Sequence, residues 1–281
     1  MAEILTRSNL STLVSSEPVP TPALSYNILS KSASGGVVIT ASHNPPDWNG
    51  FKYKPHYGGS ASPSIIAEIE STILNRENPQ IDTDHELNKI NPDSPLYFSP
   101  KKDYFSHIET IVDLNAIKRS GINVLVDCMY GAGQNYLPEF LVGSAGRTDS
   151  IRSTIDPSFP GLLQPEPISE NLGPLSEAVI KNQYDVGIAY DGDADRLGIN
   201  DETGRYIDTL KVFALLALYM LEIRQQQGAM IKSITSSNML FKLGSLYDSP
   251  VYETPVGFKL SLIHISEPTR PRLLSYAVFC L

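Results

Sequence analysis

Two cysteines in 281 residues, Cys128 and Cys280, are too few for a disulfide framework. A reducing cytoplasm is therefore the expected compartment. Positive charge is short as well: 22 Lys and Arg stand against 31 Asp and Glu, a formal net charge of −9. That balance argues against a nucleic-acid partner, because binding a phosphate backbone depends on clustered lysine and arginine. No apolar run reaches bilayer length. The longest, Val212 to Leu221, suits a buried helix segment, so no membrane partner is expected. Residues 1–20 lack the basic start, continuous apolar core and small-residue cleavage site of a secretory leader. What is present is a 41% hydrophobic chain long enough for two domains, the profile of a globular protein.

Along the chain, β-rich apolar runs alternate with helix-like segments, the pattern of an α/β fold built from consecutive domains, each with a mixed sheet between helices. Residues 1–9 read as the last turns of a helix. Gly36 to Thr40 predicts a strand that ends in a polar, proline-rich loop, 41–50. Apolar residues at Ile65, Ile66, Ile69, Ile73 and Leu74 follow helical spacing, and Pro63 suits the first turn. The Asn-, Asp- and Pro-rich stretch from Glu77 to Pro100 reads as a connection, which places a domain boundary near residue 100. A second unit, 101–228, is expected to contain a helix over 102–114, a strand over 122–127, a Gly-Ala-Gly turn at 131–133, a helix over 134–141, a strand over 186–190 and a long helix over 210–224. Residues 229–259 read as the start of a third unit.

Two loops carry chemistry. Residues 40–50 read TASHNPPDWNG, followed by Phe51 and Lys52. A serine at a strand end, in a loop stiffened by Pro45 and Pro46, holds its hydroxyl in place at low entropic cost. His43 and Lys52 bring positive charge for a phosphate. A plain turn has the same composition, so this loop alone does not decide. Residues 191–198 read DGDADRLG. Asp191, Asp193 and Asp195, spaced by Gly192 and Ala194, can converge on one hard cation, and oxygen ligands favour Mg²⁺ or Ca²⁺. A solvated acidic turn is the bland alternative. An EF-hand is the sharper one, since Glu202 falls at the twelfth position from Asp191. Against it, Arg196 stands where that loop needs glycine, and a β-branched strand pattern precedes it in place of a helix. Arg196 is either a phosphate or sugar ligand or a balance for the carboxylates.

Together the two loops resemble the signatures of the α-D-phosphohexomutase superfamily, the phosphoglucomutases and phosphomannomutases, and they occur in that family's order. Further segments are similar to family segments: PTPALSY at 20–26, DPSFPG at 156–161, PEP at 165–167 and TPVGFK at 254–259. The resemblance covers residues 1–259. It implies phosphohexomutase domain 1 over 1–100, domain 2 over 101–228 and the opening of domain 3 over 229–259. It implies that Ser42 bears a transferable phosphate, that Asp191, Asp193 and Asp195 hold Mg²⁺ together with a phosphate oxygen on Ser42, that Lys52 is the candidate general acid/base, and that His43 and Arg196 support phosphoserine or substrate. The implied partners are a hexose phosphate and a hexose bisphosphate intermediate. The run YKPHYGGSASP at 53–63 is more similar to phosphoglucomutase/phosphomannomutase members than to glucosamine enzymes. A non-catalytic sugar-phosphate-binding or regulatory protein is the alternative, and the intact serine and aspartates speak against it. A phosphatase with an aspartate nucleophile is disfavoured because DGDADRLG lacks the closely following Thr or Val.

Both ends depart from the family pattern. The chain reads as beginning inside its first unit, without an arginine-bearing loop that the family places near the serine. The sugar-binding loop of domain 3 and the phosphate-anchoring domain 4 are not in it. Leu260 to Arg270, LSLIHISEPTR, matches the translation of a transposase adapter used in preparing sequencing libraries, so 260–281 are expected to be a non-native tail and the 281-residue chain to be inactive by itself.

Overall fold

The computed structural model describes residues 1–75 and 97–255. The elements run in chain order as α1 (Ala2–Arg7), β1 (Val14–Ser15), α2 (Thr21–Ser30), β2 (Gly35–Ile39), β3 (Phe51–Pro55), α3 (Pro63–Leu74), β4 (Tyr97–Phe98), α4 (Lys101–Ile111), α5 (Leu114–Arg119), β5 (Val124–Asp127), α6 (Tyr136–Phe140), β6 (Thr148–Ile151), α7 (Gly173–Asn182), β7 (Val186–Tyr190), β8 (Leu197–Asp201), β9 (Tyr206–Ile207), α8 (Thr209–Leu218), β10 (Met230–Ser233), α9 (Met239–Leu246) and β11 (Val251–Thr254). No described helix is long and apolar enough to cross a membrane. Most of the stretch 77–100 and the segment from 256 onward lie outside the described residues.

The centre is a five-stranded mixed sheet in the order β6-β5-β7-β8-β9. Strands β5, β6 and β7 are parallel, and β8 and β9 add antiparallel to β7. All four residues of β5 are buried, as a strand covered on both faces must be. On one face Leu125, Met129 and Ala189 pack with Leu172, and with Leu175 and Val179 of α7. Each fully buried Leu, Val or Met side chain of this cluster contributes about 1.5–3 kcal/mol to holding α7 against the sheet. On the other face Val124 and Val126 meet Leu137, Val186 and Ile188. After β5 the chain places β6 on one side and β7 on the other. The carboxyl ends of β5 and β7 therefore flank a topological switch point, the crevice where open α/β sheets gather ligands.

Flanking this sheet, β2 and β3 form an antiparallel pair with Ile39 opposite Phe51, which places the serine loop at the end of the pair. The strand pairs β1-β4 and β10-β11 are parallel, and α9 links β10 to β11. Helix α3 begins at Pro63, and the Ser62 hydroxyl accepts from the Ile65 amide at 3.3 Å. Three expectations change. The helix over 102–114 is α4 plus α5, because Val112 turns extended and the Asp113 carboxylate caps a new helix by accepting from the Ala116 amide at 2.8 Å. The helix over 210–224 is regular only to Leu218 and continues as a wider π-type turn, Tyr219–Ile223. Tyr97–Phe98, read as part of a connection, is a short strand on Val14–Ser15.

Candidate active site

The aspartate loop is the hairpin between β7 and β8, closed by Tyr190 pairing with Leu197. Asp191 shapes it from inside: its Oδ1 accepts the backbone amides of Asp195 at 2.9 Å and Arg196 at 3.1 Å. Ala194 takes a left-handed φ of +52°, which completes the curl. Oδ2 of Asp191 is left facing Ser42, whose Oγ donates to it at 3.3 Å across 149 residues of sequence. Ser42 itself has φ +57°, a conformation a non-glycine residue adopts under local constraint, as reactive residues often do. Its amide is tied to the Thr40 hydroxyl at 2.8 Å.

Close backbone approach makes this contact possible. A Cβ on Gly192 would stand 2.3 Å from the Ser42 carbonyl oxygen, so only glycine lets the two loops touch. Behind it lies the Gly-Ala-Gly turn: a Cβ on Gly131 would meet the Gly192 carbonyl at 2.4 Å, and the Ala132 amide donates to that carbonyl at 2.9 Å. The turn after β5 thus braces the loop after β7 at the switch point. The Gly192 amide donates to the Pro165 carbonyl at 3.2 Å, which puts the PEP segment against the same loop.

Asp193 is held from the other side. Its Oδ2 accepts from Lys52 Nζ at 2.7 Å and from Thr21 Oγ1 at 2.5 Å. Lys52 also reaches Asp195 Oδ2 at 3.3 Å. Oδ1 of Asp193 is buried with no hydrogen-bond partner. Arg196 lies outermost: Nη2 donates to His43 Nδ1 at 2.7 Å, since a guanidinium can only donate. Its Nη1 is 3.4 Å from Glu166 Oε1, and Nε is 3.9 Å from carboxylate oxygens of both Asp191 and Asp195. All seven residues singled out from the sequence therefore meet in one cluster.

The electrostatics are those of crowded, buried carboxylates partly balanced by one lysine. Burial, then the charges of Asp193 and Asp195, pushes the Asp191 carboxyl up to about 7. Burial opposes the charge on Asp193 too, but hydrogen bonds from Lys52 and Thr21 outweigh it and hold that carboxyl below its ordinary value. Burial lowers the affinity of Lys52 for its proton, yet the Asp193 hydrogen bond and charge, with Asp195, keep its ammonium above the usual lysine value. Lys54, two residues on along the same face of β3, is lowered by burial and by the neighbouring Lys52.

These residues fit a hard cation. Asp191, Asp193 and Asp195 each offer a carboxylate oxygen within 4.8 Å of the others. A buried carboxylate oxygen without a donor and a carboxyl lifted by burial and by like charge are the two features that a divalent ion would relieve. An EF-hand is not what the loop is: β7 precedes it, and Glu202 lies in the turn beyond β8. With β8 rising roughly 3.3 Å per residue, that turn stands about 17 Å from the loop. Sequence reasoning passed over Thr21 and Glu166, although both lie in segments, PTPALSY and PEP, that carried the resemblance.

Residues 102–204 match the family model for phosphoglucomutase/phosphomannomutase, alpha/beta/alpha domain II, and residues 1–80 match that for its domain I. The chain belongs to the phosphohexomutase superfamily. Among phosphohexomutases, a phosphoglucomutase/phosphomannomutase of Thermococcus kodakarensis is 34% identical over 85% of this chain and 50% of that protein. A phosphoglucosamine mutase of Caldicellulosiruptor bescii is 31% identical over 80% of this chain and 48% of that protein. A solved structure from Thermus thermophilus that carries the phosphomannomutase name is 32% identical, with a TM-score of 0.78, over 89% of this chain and 55% of that one. The α/β phosphohexomutase fold is thus the fold of this chain. The chain spans about half the length of the relatives it matches.

Proposed function

We propose that this chain is the serine- and cation-bearing half of an enzyme that interconverts hexose 1-phosphates and hexose 6-phosphates through a phosphoserine and a hexose bisphosphate. The observation that carries the reading is the meeting of Ser42 Oγ with the aspartate cluster, 3.3 Å from Asp191 Oδ2. Asp191, Asp193 and Asp195 would hold Mg²⁺, with a phosphate oxygen on Ser42 as a further ligand. Such an ion, when bound, neutralises phosphoryl oxygens that would otherwise repel an incoming hydroxyl.

The chain's own residues do the rest by position and charge. Phosphorylated Ser42 gives its phosphoryl group to the free hydroxyl of a hexose monophosphate as the bond from phosphorus to Oγ breaks, which makes the bisphosphate; once the bisphosphate has turned over, Ser42 Oγ takes the phosphoryl group from the other position as that bond from phosphorus to the sugar oxygen breaks. Lys52, held charged by Asp193 and Asp195, is ready to give a proton or hydrogen bond to the departing oxygen; to act as base it must first release that proton. Arg196 and His43, paired on the solvent side, offer donors to phosphate oxygens. Consecutive domains over 1–100, 101–228 and 229–259 would place the serine on the first and the aspartates on the second. Glucose and mannose phosphates are the substrates we favour on the run YKPHYGGSASP, with glucosamine phosphate the second reading because phosphoglucosamine mutases are among the similar proteins.

The test is mass spectrometry of the Ser42 peptide from the intact protein exposed to hexose bisphosphate and Mg²⁺. Phosphate on Ser42, absent from Ser42→Ala, is expected. Sustained interconversion of hexose phosphates with Ser42 unmodified throughout would exclude the phosphoserine route.

A further inference from the structure

Asp193 is gripped at two points from a segment 172 residues away: the Thr21 hydroxyl donates to Oδ2, and the Thr21 amide donates to the Asp193 backbone carbonyl at 2.9 Å. Thr21 is only 5% exposed and opens α2 between Pro20 and Pro22. Helix α2 has no side-chain cap, so the first amide of the helix is satisfied by Asp193 and the positive end of its dipole lies beside the carboxylates. Lys52 takes the same oxygen, Oδ2, from β3. The two donors saturate one oxygen and leave the other, Oδ1, buried without a partner.

We propose that Thr21 is a positioning residue for the cation: by occupying Oδ2 of Asp193 it presents Oδ1 as the ligand oxygen, and it locks the aspartate loop to α2. This rests on reading the three aspartates as a cation site. Threonine suits the task because its branched side chain has few rotamers to lose, so its hydroxyl is aimed before the cation arrives. Outer partners of this kind orient a ligand carboxylate without touching the ion.

The experiment titrates the metal-free 281-residue chain with Mn²⁺, followed by the EPR signal of the free ion, for the parent, Thr21→Val, Thr21→Ser, Asp193→Asn and the Thr21→Val/Asp193→Asn pair. Valine keeps the shape and the backbone bond and removes only the hydroxyl donor. Thr21→Val is expected to bind Mn²⁺ about 10–100-fold more weakly, as loss of such outer partners does. Thr21→Ser should bind close to the parent. In the Asp193→Asn background Thr21→Val should cost little more, because the hydroxyl acts through that carboxylate. Parent-like affinity in Thr21→Val, no rescue by serine, or an equal loss in both backgrounds would each overturn the proposal while leaving the cation site standing. A parent that binds no Mn²⁺ would overturn the cation reading, and this inference with it.

Discussion

Replacing Asp191 by asparagine should make the cation-free protein more stable at pH 8 and have little effect on its stability near pH 4. The Asp191 carboxyl is held at about 7 in the folded chain, against an ordinary value of 3.8, by burial and by the charges of Asp193 and Asp195. Between those values the folded state keeps a proton that the unfolded chain has released, so stability falls as pH rises through the interval and levels off above 7. Three pKa units correspond to about 4 kcal/mol, of which the two above pH 5 account for about 3. That is large against a typical domain stability of roughly 5–15 kcal/mol. Asp193 does not confuse the window. Its value is depressed, so the stability it adds is present above the ordinary carboxylate value and is lost only as pH falls below it. Asparagine keeps the geometry, since its carbonyl can still accept the Asp195 and Arg196 amides and its NH₂ can donate to Ser42 Oγ. Urea unfolding in EDTA at pH 5 and pH 8 measures the effect. The gap between variant and parent should move by about 3 kcal/mol in favour of Asp191→Asn over that range. Added Mg²⁺ should then stabilise the parent and do much less for the variant. Equal pH dependence of parent and Asp191→Asn in EDTA would refute the account of like charges stored for a cation.

The loop contact gives a steric prediction. Gly192→Ala drives a methyl to 2.3 Å from the Ser42 carbonyl oxygen and should cost about 1–3 kcal/mol of overpacking together with weaker Mn²⁺ binding. Gly173→Ala, which meets nothing within 4 Å, should be neutral in the same thermal melts, and matching behaviour of the two would remove the argument from close approach.

Local pattern is enough for whatever is built within one element and its next turn. Apolar spacing over 65–74 with Pro63 placed α3, β-branched Val186 to Tyr190 placed β7, and that strand already argued against an EF-hand from the sequence alone. The alternation of three carboxylates with small residues, and a serine in a proline-stiffened loop, announced a cation and a phosphate because those groups repel or wander unless something holds them. Within α4 and α5 the same reasoning ran on too far: nothing in apolar spacing marks Val112 as the break, and the cap supplied by Asp113 outweighed helical continuity.

Tertiary structure alone decided how the loops share their charges. Ser42 and Asp191 are 149 residues apart, Thr21 and Asp193 are 172 apart, and no spacing rule reaches so far. Packing at the switch point makes Gly131, Gly192 and Ser42 backbone neighbours and so brings Ser42 Oγ to Asp191 Oδ2. It also sets the charge on Lys52. The resemblance names Lys52 only as a candidate general acid/base; burial lowers its pKa, but contact with Asp193 and Asp195 outweighs that and raises it. Which oxygen of Asp193 stays free is a matter of who occupies the other one, and that depends on where α2 and β3 come to rest against the central sheet.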